Sequence, residues 1–335
     1  VVRSRGLGDV YKRQGNSNTS TRDAYGGALF VYDNDNGEDL TISGSTFEDN
    51  AASLSGGALY VYGMDAVDIS DTVMNNNEAS AVSNTSLYYG GAGNFYDVSS
   101  LSLTNTDVCG NNSDYAGGFY FELVTDVTMA NATMVENSAS QNGGNVYAFD
   151  VTAIDMENNS FVGASGGNLY FSKTAVDFTN NVVAYTADTY GVYAADSTTD
   201  TDSSFTYNDW YDNGPADTDG YFSFSTSGSG NITDAPDFAD YSEDGDCTNN
   251  DLTPSEGSAL IDAGDATAAL SALESNGWEL TQIWITHHHG DHTAGLQELV
   301  AETNAEIFGP AGVAGIEQVM ADGGSFDFAR LKVEV

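Results

Sequence analysis

The stretch GGALFVY at residues 26–32 returns almost unchanged as GGALYVY at residues 56–62, and this repetition decides the fold. Similar glycine pairs open short apolar runs throughout the first half of the chain: Gly26-Gly27, Gly56-Gly57, Gly90-Gly91, Gly117-Gly118, Gly143-Gly144 and Gly166-Gly167. Between the pairs, an apolar residue recurs three positions before an asparagine: Phe47 to Asn50, Val73 to Asn76, Val108 to Asn111, Met134 to Asn137, Met156 to Asn159 and Phe178 to Asn181. Successive asparagines are 22 to 35 residues apart, which is the period of a solenoid coil.

This period predicts a mainly β protein with a right-handed parallel β-helix over residues 15–258. Short strands rich in Val, Phe, Tyr and Thr alternate with turns of Gly, Asn, Asp and Ser, and no stretch between them is helical enough for βαβ units. Stacked coils of this kind lie about 4.8 Å apart and pair through their backbones. The recurring asparagines are expected to stack as an amide ladder at one corner of the solenoid.

The charge of the repeat region excludes several classes of partner. From Gly15 to Asp265 the chain holds 39 acidic residues against only Arg22 and Lys173. Two cations cannot form a basic patch, which excludes nucleic acid and anionic membrane surfaces. No run of 18 apolar residues occurs, so no membrane-spanning helix is predicted. Cys109 and Cys247 are too few for a disulfide framework, and the sequence leaves open whether they pair. Two unpaired small residues is the favoured interpretation.

The first fourteen residues, VVRSRGLGDVYKRQ, differ from the rest of the chain. They contain four of its eight basic residues and lack the apolar segment of a signal peptide. The string resembles translated sequencing adapter. Residues 1–14 are therefore interpreted as an artefactual or disordered leader without a function.

The repeats resemble a known family. Gly-Gly-Ala-Leu at 26–29 and 56–59, with Phe47-x-x-Asn50 and Phe178-x-x-Asn181, is similar to the GGA(I/L/V) and FxxN repeats of polymorphic outer-membrane-type β-helix proteins. The resemblance covers residues 23–213, and residues 230–265 resemble the closing segment of many bacterial secreted β-helices. It implies a secreted or cell-surface location in a bacterium, contact with carbohydrate or the cell surface, and no single activity.

The β-helix itself is interpreted as non-catalytic. A lyase acting on uronates needs a basic residue, commonly Arg or Lys, and Arg22 and Lys173 lie several repeats apart. Asp209 and Asp212 offer two carboxylates, as a glycoside hydrolase requires, but the other motifs of such hydrolases are absent. Both residues are therefore interpreted as surface aspartates of a very acidic chain.

Calcium is a weaker alternative for the acidic loops. Oxygen ligands of the kind that Ca²⁺ prefers occur in Asp217-x-Asp219-Gly220 and in a second cluster of Asp240, Asp244, Asp246 and Asp251. Neither matches the loop of an EF-hand. Solvated acidic loops are the preferred interpretation.

All four histidines of the chain fall within Thr286-His287-His288-His289-Gly290-Asp291-His292, directly after the apolar run Ile283-Trp284-Ile285. Gln282 to Ile285 is predicted to be a buried strand, and Thr293 is predicted to open a helix. An earlier helix is predicted from Asp265 to Asn276. Ligands at the carboxyl end of a strand, before a helix, lie where α/β folds place their chemistry. Imidazoles and a carboxylate in one turn suit zinc, manganese or iron, and they predict a dinuclear metal site.

This region resembles a second family. Asp262-x-Gly264-Asp265, then Thr286-His287-x-His289-x-Asp291-His292, Gly295 and Phe308-Gly309-Pro310, is similar to the metallo-β-lactamase superfamily and, within it, to glyoxalase II, the hydroxyacylglutathione hydrolases. The resemblance implies that His287 and His289 bind one metal and that Asp291 and His292 bind the second. Two Zn²⁺ ions are expected, with Fe or Mn as alternatives. The implied catalyst is a metal-bound water between the two sites, acting on a glutathione thioester in the cytoplasm.

Residues 259–335 also depart from this second family. Its third histidine, bridging aspartate and last histidine come from sequence further downstream, so a partial αββα domain with an incomplete ligand set is expected. The β-helix and the hydrolase belong to different compartments, and the string IDAGD at 261–265 fits both. The sequence is therefore interpreted as a chimera of a non-catalytic surface repeat protein and a hydrolase fragment. The alternative is a natural fusion, a dinuclear metal-dependent thioester hydrolase with an N-terminal β-helix extension.

Overall fold

A computed structural model describes residues 12–18, 24–33, 37–80, 87–187, 189–201, 203–222, 230–242, 246–255, 258, 260, 280–284, 296–309, 318–319, 325–328 and 331–334. The chain divides into two compact units, Val1–Thr253 and Pro254–Val335. The first unit is a parallel β-solenoid, and the second contains a small α/β segment. The predicted helix from Asp265 to Asn276 lies outside the described residues.

Three parallel sheets run along the solenoid, and each coil contributes strands to them in turn. We call the first the aromatic sheet, after its outward side chains, and its eight described strands are β3 (Leu29–Tyr32), β7 (Leu59–Tyr62), β10 (Gly93–Tyr96), β13 (Phe119–Glu122), β17 (Val146–Phe149), β20 (Leu169–Ser172), β23 (Val192–Ala194) and β26 (Thr218–Gly220).

The second sheet, called the broad sheet, has thirteen strands among the described residues: β1 (Lys12–Gln14), β4 (Asp39–Ser43), β5 (Thr46–Glu48), β8 (Ala66–Asn75), β11 (Ser100–Cys109), β14 (Asp126–Ala130), β15 (Thr133–Val135), β18 (Ala153–Glu157), β19 (Ser160–Val162), β21 (Ala175–Thr179), β22 (Val182–Ala184), β24 (Ser204–Thr206) and β25 (Asp209–Tyr211). The third, called the short sheet, has five in the same part of the chain: β2 (Ser17–Asn18), β6 (Ala51–Ala52), β9 (Glu78–Ala79), β12 (Asn112–Tyr115) and β16 (Ser138–Asn142). A short helix, α1 (Ser197–Thr201), follows β23.

The predicted solenoid is confirmed, and its pairing extends slightly beyond the predicted boundary. β1 pairs in parallel with β5, with Lys12 opposite Thr46 and Gln14 opposite Glu48. These residues were assigned from the sequence to the leader, because their basic composition differs from that of the repeats. Backbone pairing requires no particular side chain, which explains why composition placed the boundary a few residues too late.

Inward side chains of successive strands stack in register and fill the solenoid. One row of the aromatic sheet consists of Val61, Phe95, Phe121, Ala148 and Phe171, all 0% exposed. A row of the broad sheet consists of Ile69, Leu103, Met129, Met156 and Phe178, again all 0% exposed. Full burial of a large apolar side chain contributes about 1.5–3 kcal/mol, so each coil adds its own favourable increment.

The glycine pairs form the turns that lead into the aromatic sheet. The first glycine of a pair adopts a left-handed conformation, with φ of 61° at Gly26 and 65° at Gly56. The second glycine packs directly on a neighbouring coil, because a Cβ on Gly27 would meet the carbonyl oxygen of Gly57. The two positions therefore require glycine for different reasons, one conformational and one steric.

Buried asparagines connect the coils, but they do so at two corners rather than at the single predicted corner. Between the broad and short sheets, the side-chain amide of Asn50 donates to Asn77, Asn77 donates to Asn111, and Asn111 donates to Asn137, each at 2.9 Å. A second ladder, placed between the two halves of the broad sheet, consists of Asn159, Asn181, Asn208 and Asn231.

Neighbouring residues explain this correction. Asn137 follows β15, whereas Asn159 precedes β19 and therefore stands in the position of Ala132 in the preceding coil, whose backbone N–H donates to it (2.8 Å). The ladder residue after β8 is Asn77, which is buried, and not the predicted Asn76, which is exposed and has φ of 54°. Spacing along the chain cannot distinguish adjacent asparagines, because either one satisfies the repeat.

After β26 the chain turns back along the solenoid, and we call residues 231–254 the return segment. It contains β27 (Phe238–Asp240), a 3₁₀ helix (Cys247–Asn249) and β28 (Asp251–Pro254), which pairs with β27. Ile232 bridges to Asp209 of the last coil, and the Tyr241 ring stacks on Tyr185 at 4.9 Å. Further on, the amide of Asn250 donates to Glu136 at 3.0 Å. These contacts proceed from later coils to earlier ones.

Cys109 and Cys247 form a disulfide with Cα atoms 5.9 Å apart, so the prediction of two unpaired cysteines is wrong. Val108 belongs to the core, and Cys109, the next residue along β11, therefore points outward. It is nevertheless buried, because it packs in a small cluster with Val135, Cys247 and residues of the return segment. The two cysteines are 138 residues apart along the chain, and no sequence pattern connects them.

Candidate functional site

The second unit contains a parallel β–α–β arrangement on either side of the metal-binding sequence. β29 (Gln282–Trp284) pairs in parallel with β30 (Glu306–Gly309), which also pairs with β31 (Gln318–Val319). Helix α2 (Leu296–Thr303) lies between β29 and β30 along the chain. Its Leu296 is buried against Ile307, with Ile283 and Val300 packed beside them. The predicted strand at Gln282 and the apolar face of the predicted helix are confirmed for these residues.

The predicted metal ligands, His287, His289, Asp291 and His292, lie outside the described residues. Along the chain they fall between the carboxyl end of β29 and the first residue of α2. Ligands of parallel α/β folds bind at this kind of connection. The donor types, imidazole nitrogens and a carboxylate, fit a borderline divalent metal such as zinc. In the described part of the chain, no three His, Cys, Asp or Glu residues come together as a metal site.

The last strands of the unit form an antiparallel pair. β32 (Ser325–Phe328) pairs with β33 (Leu331–Glu334), and Asp327 stands opposite Lys332. In the same pair, Phe326 stands opposite Val333. Asp262, Gly264 and Asp265, which carry part of the family resemblance, lie outside the described residues.

Asp209 in the solenoid is buried, which corrects its interpretation as a surface aspartate. It is 1% exposed, and neither carboxylate oxygen has a hydrogen-bond partner among the described residues. Burial, with a smaller contribution from the nearby Asp234 carboxylate, raises the pKa of Asp209 to about 7. The nearby Trp210 N–H, which donates to the Ile232 carbonyl at 3.0 Å, offsets only part of this rise in pKa. Asp212, the other member of the predicted pair, is exposed.

Sequence reasoning missed the burial of Asp209 because the residue points away from the core. Its neighbours Asn208 and Trp210 are the inward side chains at this point, and an outward aspartate in an acidic solenoid is expected to be solvated. The bridge from Ile232 of the return segment to Asp209 explains the difference. A carboxylate with a strongly raised pKa is a candidate functional group, although buried structural groups share this property.

Four of the aspartates considered as calcium ligands accept hydrogen bonds from groups of the protein. Asp217 accepts from the amide of Asn213 at 3.1 Å, and Asp219 accepts from the Gly220 N–H at 2.6 Å. Asp246 caps the 3₁₀ helix by accepting from the Thr248 N–H at 3.3 Å, and Asp251 accepts from the Thr253 N–H at 3.0 Å. These hydrogen bonds account for the local turns without a cation, and Asp244 lies outside the described residues.

Lys173, one of the two cations of the repeat region, packs against an aromatic ring. Its Nζ atom lies 5.0 Å from the centroid of the Phe149 ring, within the range of a cation–π interaction. The position of Lys173 is therefore explained by contact within the solenoid. Arg22 lies outside the described residues.

Comparisons with known proteins find relatives for the C-terminal region of the chain. Residues 252–317 match the Metallo-beta-lactamase superfamily. A hydroxyacylglutathione hydrolase of Roseobacter denitrificans is 41% identical over 81 residues, which cover 23% of this chain and 32% of that protein. The hydroxyacylglutathione hydrolase of Pseudomonas fluorescens is 50% identical over 54 residues, 16% of this chain and 21% of that protein. The C-terminal region is thus a metallo-β-lactamase segment with glyoxalase II relatives.

The match is confined to that region. The chain spans 32% of the first relative and 21% of the second, less than a third of their length. No significant match to a solved structure was found. None of the described helices is long and apolar enough to cross a membrane.

Proposed function

We propose that the solenoid is a non-catalytic, secreted or cell-surface repeat domain. The observation that supports this most directly is the disulfide between Cys109 and Cys247, because such bonds persist in oxidising compartments and are rare in the cytosol. The large excess of acidic residues is also suited to an extracellular protein that remains soluble. The test is thiol labelling of the chain in the cells that produce it. Protection of both cysteines until a reductant is added supports the proposal, and free thiols in untreated cells contradict it.

The outward row of the aromatic sheet is the proposed surface for a neutral cell-surface glycan. Tyr147 stacks on Tyr120 at 5.2 Å and on Tyr170 at 4.3 Å, and Tyr170 stacks on Tyr193 at 5.1 Å. Ring faces covered by their neighbours leave ring edges and hydroxyls for contact, and the hydroxyls both donate and accept hydrogen bonds. Tyr147→Phe with Tyr170→Phe keeps the stack and removes two hydroxyls. Loss of binding to neutral glycans in this variant is expected, and unchanged binding contradicts the assignment.

For the second unit we propose a glyoxalase II-like metal-binding segment. His287 and His289 are assigned to one metal, and Asp291 and His292 to the other. A bound metal of this class lowers the pKa of a water molecule and polarises a carbonyl group. These assignments give each metal two of the three or four protein ligands usual for zinc. The assigned roles rest on the donor types and on the similarity of residues 252–317 to hydroxyacylglutathione hydrolases.

The metal proposal is tested on the purified full chain. We expect weak zinc binding by calorimetry, its loss in His287→Ala with His289→Ala, and no turnover of S-lactoylglutathione above background. His288→Ala is the matched control, because His288 occupies a variable position of the motif and its loss leaves zinc binding unchanged. Two tightly bound metals together with turnover of the thioester would instead establish the alternative, a dinuclear metal-dependent thioester hydrolase with a solenoid extension.

The joining of these parts is proposed to be chimeric. A disulfide-bonded solenoid and a hydrolase of a glutathione thioester belong to different compartments. The similarity to the superfamily begins at residue 252, within the return segment, so the two sequence patterns overlap where the units meet. Independent sequencing reads that span codons 255–275 in the source DNA test this proposal. Repeated spanning reads would establish a natural fusion, and their absence supports a chimera.

A further inference from the structure

The outward row of the aromatic sheet is interrupted at one interior strand. Asn94 of β10 stands in register between Tyr60 of β7 and Tyr120 of β13. It points outward, because the next residue, Phe95, belongs to the core. On either side of these three strands the row continues with aromatic residues, namely Phe30 before Tyr60, and Tyr147, Tyr170 and Tyr193 after Tyr120. One small polar side chain therefore replaces an aromatic ring inside a row of rings.

A matching replacement occurs in the turns before the glycine pairs. Equivalent positions there are occupied by Tyr25, Ser55, Tyr89 and Tyr115. The Tyr25 ring contacts the Tyr60 ring of the next coil, with centroids 4.7 Å apart. The same contact recurs between Tyr89 and Tyr120 at 4.7 Å. Between these two pairs, Ser55 instead meets Asn94 through a hydrogen bond of 2.7 Å. We call the space between the Tyr60 and Tyr120 rings, above Ser55 and Asn94, the tyrosine gap.

Aromatic faces are directed into the tyrosine gap from both sides. The Tyr60 ring stacks on Phe30 with centroids 5.5 Å apart, and this neighbour lies away from the gap. On the other side the Tyr120 ring stacks on Tyr147 at 5.2 Å, again away from the gap. The remaining face of each ring is therefore directed toward Asn94. Asn94 is only 4% exposed, so a ligand enters once the partly exposed Tyr60 side chain turns outward.

The floor of the tyrosine gap contains a hydrogen-bond acceptor without a partner. The Asn94 amide donates to Ser55 Oγ, and the Ser55 hydroxyl donates to the Tyr89 carbonyl at 3.0 Å. Because the Ser55 proton is already used, the nitrogen of Asn94 and not its oxygen must face Ser55. The Asn94 Oδ1 atom is buried and has no hydrogen-bond partner among the described residues. A buried acceptor of this kind is stabilised by a ligand that brings a donor.

A carboxylate lies diagonally across from Asn94. Glu122 follows Tyr120 by two residues on β13 and pairs in register with Tyr96 of β10. Strand spacing and rise place it about 8 Å from Asn94. It accepts a hydrogen bond from the Tyr120 hydroxyl at 3.1 Å. Burial raises the pKa of Glu122 and so does the Asp150 carboxylate, whereas the bond from Tyr120 lowers it. A cation bound here would stabilise the ionised carboxylate.

The neighbouring position of this sheet already holds an ammonium group of the chain itself. The Lys173 Nζ atom lies 5.0 Å from the centroid of the Phe149 ring, and Phe149 pairs in register with Glu122. On the other side of Glu122, the Tyr96 ring stacks on Tyr62 at 5.2 Å, which leaves its second face toward Glu122. An ammonium group at Glu122 would contact that face as well as the carboxylate. The net charge of −42 also favours a cation over an anion.

We propose that the tyrosine gap binds one ring of an amino sugar, a hexose residue that carries a free, protonated amine. The ammonium group pairs with Glu122, a hydroxyl on a nearby ring carbon donates to Asn94 Oδ1, and the apolar face of the sugar lies against Tyr60. A lysine side chain fits less well, because its ammonium group ends a flexible methylene chain and brings no second donor for Asn94. The ligand and the binding residues differ from those of the surface proposed for a neutral glycan.

The test titrates the full 335-residue chain with the disaccharide of glucosamine and follows binding by NMR. The matched sugar is the disaccharide of N-acetylglucosamine, which has the same rings but no charge. We expect it to bind at least roughly tenfold more weakly, because acetylation removes the ammonium group that pairs with Glu122. Equal binding of the two sugars would overturn the proposal. Tighter binding of the peptide Gly-Lys-Gly than of the glucosamine disaccharide would also overturn it, in favour of a partner that supplies a lysine.

Asn94→Tyr tests the tyrosine gap directly, because it fills the gap with the residue that the neighbouring strands carry. We expect the fold to be retained, since the new ring continues the row, and binding of the glucosamine disaccharide to be lost. Unchanged binding in the folded variant would overturn the proposal. If this variant does not fold, the charge variants at Glu122 and Asp126 decide the question.

Glu122→Gln removes the charge and keeps an acceptor for the Tyr120 hydroxyl. We expect it to weaken binding of the glucosamine disaccharide at least roughly tenfold. Asp126→Asn removes the same charge from an exposed position of the same coil and should leave binding unchanged. Equal weakening by both variants would overturn the proposal, since binding would then be a general attraction between an acidic chain and a cation. Tyr147→Phe with Tyr170→Phe should leave this binding unchanged, so the neutral-glycan proposal is tested separately.

Discussion

The solenoid and the second unit support their strands in different ways. In the solenoid, an interior strand such as β13 lies between strands of the preceding and following coils, and its core side chains are fully buried. In the second unit, β29 and β30 enclose a small core of Leu296, Ile307, Ile283 and Val300. A repeat array carries a complete set of contacts in every coil, whereas an α/β segment depends on the layers around it. The solenoid is therefore expected to tolerate separation from the second unit.

The largest effect is expected from the solenoid core. Phe121→Ala removes a fully buried ring from the row that includes Phe95 and Phe171, and leaves a cavity. We expect it to lower the free energy of unfolding by about 3–5 kcal/mol in denaturant titrations of the full chain. Leu123→Ala, two residues away and 41% exposed, is the control and should change stability by about 0.5 kcal/mol or less. Similar losses for the two variants would mean that the core of this coil is not specifically packed.

The next effect concerns Asp209 and depends on pH. Its pKa is raised to about 7 in the folded chain, against about 4 in an unfolded one. The contribution of Asp209 to the free energy of unfolding is fully present below about pH 4. It is lost as the pH rises through about 7, because the folded state must then bury a charge. The loss has a ceiling of about 4 kcal/mol for a shift of about three units. Asp209→Asn removes this dependence and raises the thermal midpoint at pH 8, whereas Asp212→Asn, on the exposed neighbour, leaves both unchanged. The raised pKa of Asp209 would be contradicted if the thermal midpoints of the original chain and of Asp209→Asn rose in parallel between about pH 4 and pH 7.

The disulfide ties the return segment to the coil that begins at the third glycine pair, Gly90-Gly91, and we expect its loss to destabilise mainly the return segment. Cys109→Ser with Cys247→Ser is expected to cost about 2–4 kcal/mol, since the bond closes a loop of 138 residues in the unfolded chain. Because the chain has only these two cysteines, a reductant should reproduce the effect in the original protein and have none in the double variant. Limited proteolysis should cut first near Tyr241 to Cys247 in both cases. Cleavage that begins elsewhere would show that the return segment is held without the bond.

The asparagine ladder gives a smaller effect. The side-chain amide of Asn137 donates to the Val108 carbonyl at 2.8 Å and to Asn145 at 2.7 Å, and its oxygen accepts from Asn111. Asn137→Ala leaves these buried groups without partners, at a cost of about 1–3 kcal/mol. Asp126→Ala, at an exposed position of the same coil, should stay within about 0.5 kcal/mol. Equal losses of stability in the two variants would show that the asparagine ladder does not stabilise the solenoid.

The contrast between local contacts within each repeat and contacts between distant parts of the chain explains which features the sequence could predict. The period of glycine pairs and asparagines predicts the solenoid because each repeat makes the same local contacts. The order strand, ligands, helix predicts the β29–α2–β30 arrangement because hydrophobic periodicity is local as well. The disulfide and the burial of Asp209 could not be predicted, because both result from the return segment reaching earlier coils. The move of the ladder from Asn137 to Asn159 depends on which corner each asparagine occupies, and spacing alone does not specify that.

The smallest effect is expected on the stability of the solenoid when the second unit is destabilised. Ile307→Ala removes a buried side chain from the contact with Leu296, and should weaken the second unit. If each solenoid coil supplies its own core, the unfolding transition of the solenoid should remain within about 0.5 kcal/mol of its original value. Circular dichroism follows that transition through the β-rich signal of the solenoid, and hydrogen exchange of the β29 and β30 amides reports the second unit. Phe121→Ala provides the reverse control, because it should shift the solenoid transition and leave the exchange of those amides unchanged. A shift of the solenoid transition by Ile307→Ala would show that the solenoid depends on the second unit for its stability, and the contrast between a self-sufficient repeat and an α/β segment that relies on the layers around it would then have to be abandoned.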